Sequence, residues 1–404
     1  MNLLYTKSCF VQRLRTFGFY VVSSKKRIDF NRRMWIAALV FVAFILLLII
    51  YGNYIMNQPE RGIIYEENEW VEYEIKQDYK KTSKERHRDK LLVEYEAAKR
   101  ALSKVFQKQP VQRIPDVIGI GVEKCGTGAL RSLLRMHPMI KVAPKEPHFF
   151  ERPHIYKLGL KAYTPMLAKV LPHEISFEKT PAYFNWELAT PEHLRELVPH
   201  AKLLLVLCNP TERTYSDYAQ EIMMGHLNKN TTFEQMVDDL LVYSANLTAK
   251  MNESGTEMEY IEQLFKKRST NHILTTGLYY YHLLRWYKVF NMSDIHIVDG
   301  EELISNPAKV IKEVQDFLHI PEFVLPENIP KGPSGFYCFA KPLVVKRNDV
   351  LVAGTERTFC MVAKGRTRKG AWGVANPEYM KKLRSFFAPF NEKLYKLLGR
   401  RFNW

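Results

Sequence analysis

The residues most able to do chemistry lie close together in Lys124-Cys125-Gly126-Thr127-Gly128-Ala129. Ahead of them, Val117 to Val122 mixes β-branched residues with glycine, the composition of a short buried strand. After them, Ala129-Leu130 and Leu133-Leu134 take up helical spacing. The pattern reads as strand, tight loop, helix. A helix N-terminus presents unsatisfied N–H groups, and glycine lets an anion approach them closely. Lys124 adds a full positive charge, so the loop reads as a phosphate cradle. A Walker A loop has its lysine after the second glycine, whereas Lys124 precedes Gly126. A dinucleotide fingerprint needs glycine at 124. A glycine-containing turn that holds no ligand stays open on these residues alone.

Two further loops carry comparable chemistry. Lys145-Glu146-Pro147-His148-Phe149-Phe150 sets a carboxylate and an imidazole two residues apart. Asn209 to Ser216 follows an apolar strand, and the spacing of Arg213 and Ser216 on a first helical turn predicts that both face one way. There a second phosphate would meet a hydroxyl, backbone N–H groups and the helix dipole. Two phosphate sites and one carboxylate suit transfer of a group from a phosphorylated donor to a hydroxyl. Glu146 is the candidate base and Lys124 the cation on the leaving phosphate. No paired carboxylates suited to Mg²⁺ stand out, which argues against an ordinary kinase and predicts no metal requirement.

These loops need a scaffold. Strands are predicted at 117–122, 140–142, 175–178, 202–207 and 295–298, and helices to 136 and at 190–198, 211–224, 278–290, 307–318 and 377–398. Alternation of this kind predicts a parallel sheet covered by helices, with ligands at the C-terminal ends of its strands. Tyr279, Tyr280, Tyr281, Trp286 and Tyr287 read as the packing face of a helix. Residues 335–362 read as a hairpin closed by Cys338 and Cys360, the natural disulfide pair in an oxidising compartment. Cys125 and Cys208, beside predicted strands, read as buried thiols.

The 404 residues, 46% hydrophobic, allow one large or two ordinary domains, and the net charge of +16 suggests an anionic partner, with plain solvated surface charge as the alternative. Met34 to Met56 has no charged residue and is long enough to cross a hydrocarbon core of about 30 Å. Lys25, Lys26, Arg27, Arg32 and Arg33 crowd its N-terminal side, so residues 1–33 are expected in the cytoplasm and the rest in a lumen. The apolar run is too long for a cleaved signal peptide, and an uncleaved signal anchor is expected. Sequons at Asn230, Asn246, Asn252 and Asn291 agree with a lumenal body. The charged stretch 57–113 reads as a stem, part helical, and 114–404 as the globular domain.

The segments together resemble the heparan sulfate glucosaminyl 3-O-sulfotransferases. The resemblance is carried by the Lys124–Leu130 loop, Glu146-Pro147-His148-Phe149-Phe150 and Glu178-Lys179-Thr180-Pro181-Ala182-Tyr183-Phe184. It continues through Arg213 with Ser216-Asp217-Tyr218, Ile295–Gly300, Gly335-Phe336-Tyr337-Cys338, Lys364-Gly365-Arg366 and Phe402-Asn403-Trp404. It implies a P-loop-like α/β sulfotransferase domain on a Golgi type II membrane anchor, with heparan sulfate as partner and no nucleic acid. The implied donor is 3′-phosphoadenosine 5′-phosphosulfate. Its 5′-phosphosulfate would lie on Lys124 to Ala129, its 3′-phosphate on Ser216, and Lys364-Gly365-Arg366 would close over the nucleotide. Glu146 falls on the family's catalytic base, with His148 beside it, and Lys179 on a lysine near the transferred sulfate. Three positions depart. Cys208 stands where these enzymes carry an arginine to the 3′-phosphate, and Glu123 and Gly128 stand where they often carry arginines toward the sulfated chain, so acceptor preference is expected to differ. N-sulfation or another carbohydrate sulfotransfer, and non-catalytic heparan binding on the same fold, are the alternatives.

Overall fold

The computed structural model describes residues 81–106, 109–187, 190–254, 259, 268–332, 336–347, 350–360 and 375–404. The expected cytoplasmic tail, membrane segment and most of the stem lie outside these residues, as do Lys364, Gly365 and Arg366. Among the described residues no helix is long and apolar enough to cross a membrane.

Five parallel strands form the central sheet: β1 (Val117–Gly121), β2 (Ile140–Val142), β3 (Ile175–Lys179), β4 (Lys202–Leu207) and β5 (Ile295–Asp299), in the order β2-β3-β1-β4-β5. β1 is buried along its whole length and β4 at every residue after Lys202. Near-continuous apolar runs are what a strand covered on both faces requires. The helices of eight or more residues among those described are α1 (Ser83–Phe106), α2 (Thr127–Met136), α3 (Thr190–Leu197), α4 (Pro210–Met224), α5 (Phe233–Ser254), α6 (Arg268–Thr275), α7 (Tyr279–Tyr287), α8 (Pro307–Leu318) and α9 (Pro377–Leu398). A two-stranded hairpin, β6 (Cys338–Arg347) with β7 (Val350–Cys360), pairs Cys338 directly with Cys360, and the two are bonded.

The chain runs from β1 outward to β2 and back through β3, then crosses to β4 and on to β5. The loops after β1 and β4 thus depart in opposite directions. A crevice opens between them at the carboxyl ends, the place where such sheets bind ligands.

Side chains of α7 pack as its sequence requires: Tyr279, Tyr281 and Trp286 are buried, and Trp286 Nε1 donates to Phe184 O at 3.1 Å. The charged segment before residue 114 differs from a free-standing stem. Residues 79–404 form one compact unit, and α1 lies within it. Leu92 is buried, Lys84 pairs with Glu322 at 2.6 Å, Lys99 pairs with Glu174 at 3.0 Å, and the buried Arg88 donates to Asn328 Oδ1 at 2.8 Å. The stretch was expected as a part-helical stem, but this helix docks on the domain through Leu92 and a few charged side chains. Leu92→Ala is expected to cost about 2–5 kcal/mol of stability, the range for emptying a fully buried leucine site. Denaturant unfolding of the purified chain measures it.

Candidate active site

The loop after β1 is built for an anion. Gly126 is the N-cap of α2 with φ of 95°, a left-handed conformation that glycine adopts at little cost. It supplies no side-chain cap, and the first turn carries no acidic residue. The first N–H groups of α2 are therefore left for an outside acceptor, with the helix dipole behind them. Lys124 also has a positive φ, 71°. Its Nζ donates to Gln220 Oε1 at 2.6 Å, which ties the loop to the middle of α4. Thr127 is buried and Ala129 half-buried, while a side chain at Gly128 would meet nothing within 4 Å.

Cys125 and Cys208 are bonded to each other, with Cα atoms 5.2 Å apart, and are not the free thiols expected. β1 and β4 are parallel neighbours, so the loops leaving them start side by side. The half-cystines are 83 residues apart in sequence, which hides the pairing there. Tyr279 Oη donates to Cys208 O at 3.0 Å and fixes the same corner. Cys208 is therefore a buried half-cystine.

The second loop brings its residues together. Lys179, at the end of β3 and buried, donates to Glu146 Oε1. His148 Nε2 lies 3.4 Å from Glu146 Oε2, and its Nδ1 lies 2.6 Å from Glu151 Oε1. His148 holds φ at 50°, a sparsely populated conformation for a non-glycine residue, and its N–H is 3.5 Å from Thr180 Oγ1. Its hydrogen bonds to Glu146 and then Glu151 push the imidazole up to about 9, so it is a cation at neutral pH. Burial would raise the Glu146 carboxyl, but the hydrogen bonds from His148 and Lys179 outweigh it and hold the group below its ordinary value. Glu146 is thus a standing carboxylate between two cations. Behind it, burial pushes Glu178 up to about 7. Tyr163 Oη at 3.0 Å and Thr180 Oγ1 at 3.1 Å donate to that buried carboxyl and hold the end of β3.

The third loop is only partly as expected. Asn209 caps α4, accepting from Thr211 N at 3.0 Å, and Pro210 opens the helix. Arg213 does not face an anion with Ser216. It is buried, donates to Asp217 Oδ2 at 2.8 Å and to Ile273 O, and serves to pin α6 to α4. The reason is that α4 is covered on that side by a second apolar cluster, which turns a first-turn arginine inward. Ser216 is half-buried and lies one turn before Gln220 on the same face, the face that meets Lys124. The first and third loops thus converge, while Lys364, Gly365 and Arg366 lie outside the described residues. Of the sequons, Asn230 and Asn291 are exposed, and Asn246 and Asn252 lie on the backbone of α5. Glu123, just before Lys124, accepts from Trp186 Nε1 at 3.4 Å. Burial and then Asp217 push its carboxyl up to about 7.

Residues 114–329 match the sulfotransferase domain family. The chain is 32% identical over 318 residues to heparan sulfate glucosamine 3-O-sulfotransferase 5 of Mus musculus, covering 78% of this chain and 81% of that one. It is 31% identical over 310 residues to heparan sulfate glucosamine 3-O-sulfotransferase 3B1 of Mus musculus, covering 75% and 68%. The chain belongs to the sulfotransferase family. A solved sulfotransferase from Alicyclobacillus acidocaldarius superposes with a TM-score of 0.46 at 19% identity, covering 72% of this chain and 98% of that one. The family assignment rests on the domain match and the curated relatives.

In this sulfotransferase, Glu151, Gln220 and the Cys125–Cys208 bond are parts of the site that sequence reading missed. Glu151 had a signal, an acid three residues after His148. Gln220 had none, since its role depends on how α4 crosses the first loop.

Two measurements test this geometry. An NMR titration of His148 should show a midpoint near about 9, and Glu151→Gln should bring it toward the ordinary value of about 6.5, because a charged partner is lost. Because the folded value lies above the unfolded one, the stability it contributes is complete below about pH 6.5 and fades as pH rises through about 9. A His148 that titrates near its ordinary value would show that the two carboxylates do not hold it. Separately, Cys125→Ser should lower the melting temperature markedly. The chain-entropy model gives roughly 4.5 kcal/mol for a loop of this length. Cys208→Arg should melt lower still, since it also buries an unpaired guanidinium. Calorimetric melting of the variants checks the order.

Proposed function

We propose that this protein transfers a sulfuryl group from 3′-phosphoadenosine 5′-phosphosulfate to the 3-hydroxyl of a glucosamine residue in heparan sulfate. We further propose that it does so in the Golgi lumen, held by residues 34–56 as a type II anchor. The observation that carries the reaction is the ionised Glu146 between Lys179 and His148, one strand away from the anion loop of α2. The relatives' named activity supports the acceptor. The uncharged segment with its basic N-terminal flank supports the anchor, and the exposed Asn230 and Asn291 agree with a lumenal face.

The residues present fit such a donor. An uncapped helix start with no acid in its first turn, preceded by Lys124, suits a phosphosulfate, and Ser216 lies on the face of α4 that Lys124 meets. When bound, the donor supplies a sulfuryl group, whose bond to the acceptor oxygen forms as its bond to the phosphate oxygen breaks. Lys124 and the N–H groups of α2 hold the negative charge left on that phosphate. Lys179, reaching Glu146 from the end of β3, neutralises charge between the carboxylate and the sulfuryl oxygens. Glu146 takes the acceptor's hydroxyl proton, and Oε2 is the freer oxygen because its contact with His148 is the longer one. His148, anchored by Glu151, keeps that carboxylate ionised and oriented. Lys364, Gly365 and Arg366 are proposed to complete the nucleotide site, with Cys338–Cys360 tying the hairpin just ahead of them.

Incubation with radiolabelled donor and heparan sulfate, followed by disaccharide analysis, tests the reading. A 3-O-sulfated product is expected. A different product would change the acceptor position, and none would remove the catalytic assignment. Glu146→Gln keeps the shape but cannot accept the proton, and should lower turnover by ~10²–10⁴-fold with nucleotide binding retained. Near-normal turnover would take Glu146 out of the mechanism.

A further inference from the structure

Trp186 is an exposed tryptophan, 38% accessible, on a segment with little freedom to move. Two residues before it, Phe184 O accepts from Arg285 Nη2 at 2.7 Å and from Trp286 Nε1 at 3.1 Å. One residue before it, Asn185 Nδ2 donates to Thr276 Oγ1 at 2.7 Å. Phe184 also lies so close to β1 that a side chain at Gly121 would come within 2.6 Å of its Cβ. The exit of β3 is therefore fastened to the exit of β1, and Trp186 is set beside the Lys124 loop. Its indole N–H reaches Glu123, next to Lys124, and the same Glu123 carboxyl feels the charge of Glu146 across the cleft. His272 flanks the indole with ring centroids 5.8 Å apart.

A rigid, exposed indole at the rim of a site offers a broad apolar face at little entropic cost, the property that makes tryptophan an anchor in recognition surfaces. A pyranose ring has a matching face of C–H groups and a rim of hydroxyls. The carboxylate is the informative partner. With its carboxyl pushed up to about 7, Glu123 is charged only above neutral pH, and in a strongly basic protein such a carboxylate then repels sulfate and accepts from hydroxyl, so it acts as a discriminating element. We propose that Trp186 and Glu123 form an acceptor subsite for a pyranose that carries no sulfate, with the ring stacked on the indole and a hydroxyl donating to the carboxylate. The assignment rests on the sulfotransferase reading of the neighbouring loops, and it selects acceptors by where sulfate is missing.

Calorimetric titration tests it without depending on turnover. An unsulfated oligosaccharide and a fully sulfated one of the same length are titrated into the full chain saturated with adenosine 3′,5′-bisphosphate. Trp186→Ala should weaken binding of the unsulfated saccharide about tenfold or more, with Trp186→Phe recovering most of the loss. At about pH 8, above the carboxyl's midpoint of about 7, Glu123→Gln should improve the sulfated saccharide relative to the unsulfated one by about tenfold, since the repulsion is removed while the amide oxygen can still accept from a hydroxyl. Wild-type affinities in all three variants, or a wild-type chain that binds neither saccharide, would overturn the subsite. A transfer assay on the same samples separates the two readings. Transfer by Trp186→Ala at an unchanged KM overturns the subsite and leaves the catalytic reading intact. Trp186-dependent binding with no transfer overturns the catalytic reading and leaves the subsite in place.

Discussion

Everything at the site hangs on one pairing, β1 alongside β4 in parallel register. Parallel neighbours bring their carboxyl ends level, and here the chain leaves those ends in opposite directions. The anion loop and the start of α4 are therefore forced into a common corner, and Lys124 reaches Gln220 across it. β3, on the other flank of β1, delivers Lys179 to the same level and with it the partner of Glu146. A shift of β4 by one residue would turn Cys208 from Cys125 and move the helix that carries Ser216.

The charges follow an order set by burial. Lys179 and Glu151 are almost wholly inside, and each is paired. A buried charge without a partner is costly, so their pairing is a condition of the fold. Glu146 is more exposed than either, yet both of its oxygens are contacted by cations. The result is a carboxylate that keeps its charge and gives up some basicity in return. Preorganisation of this kind spares the protein from rearranging dipoles while the proton moves.

Much of this was legible in the residues. β2 and β4 are bounded by clear turn signals and were predicted at their observed limits, as was α8. Lys124, Glu146 and His148 are rare chemistry in loops after apolar strands, and loops of that kind collect ligands. What escaped needed three dimensions. Arg213 was expected to face outward because helical spacing alone cannot say which side of α4 a second cluster will cover. Cys125 and Cys208 were expected as thiols because nothing in a separation of 83 residues announces adjacency. The helix α1 was read as stem because its many charges outnumber the few apolar residues, Leu92 among them, that dock it.

The Cys125–Cys208 bond reaches beyond the site itself. Both half-cystines are almost entirely shielded, at 4% and 8% accessibility, so a reductant added to a finished sample has little access to them. The redox state of this corner is therefore decided while the chain is being made. Material produced in a reducing cytosol would carry two thiols under the anion loop, and material secreted through an oxidising pathway would carry the bond. Two preparations of one sequence, indistinguishable on a denaturing gel run with reductant, would then be different enzymes, and the choice of production host becomes an experimental variable in its own right.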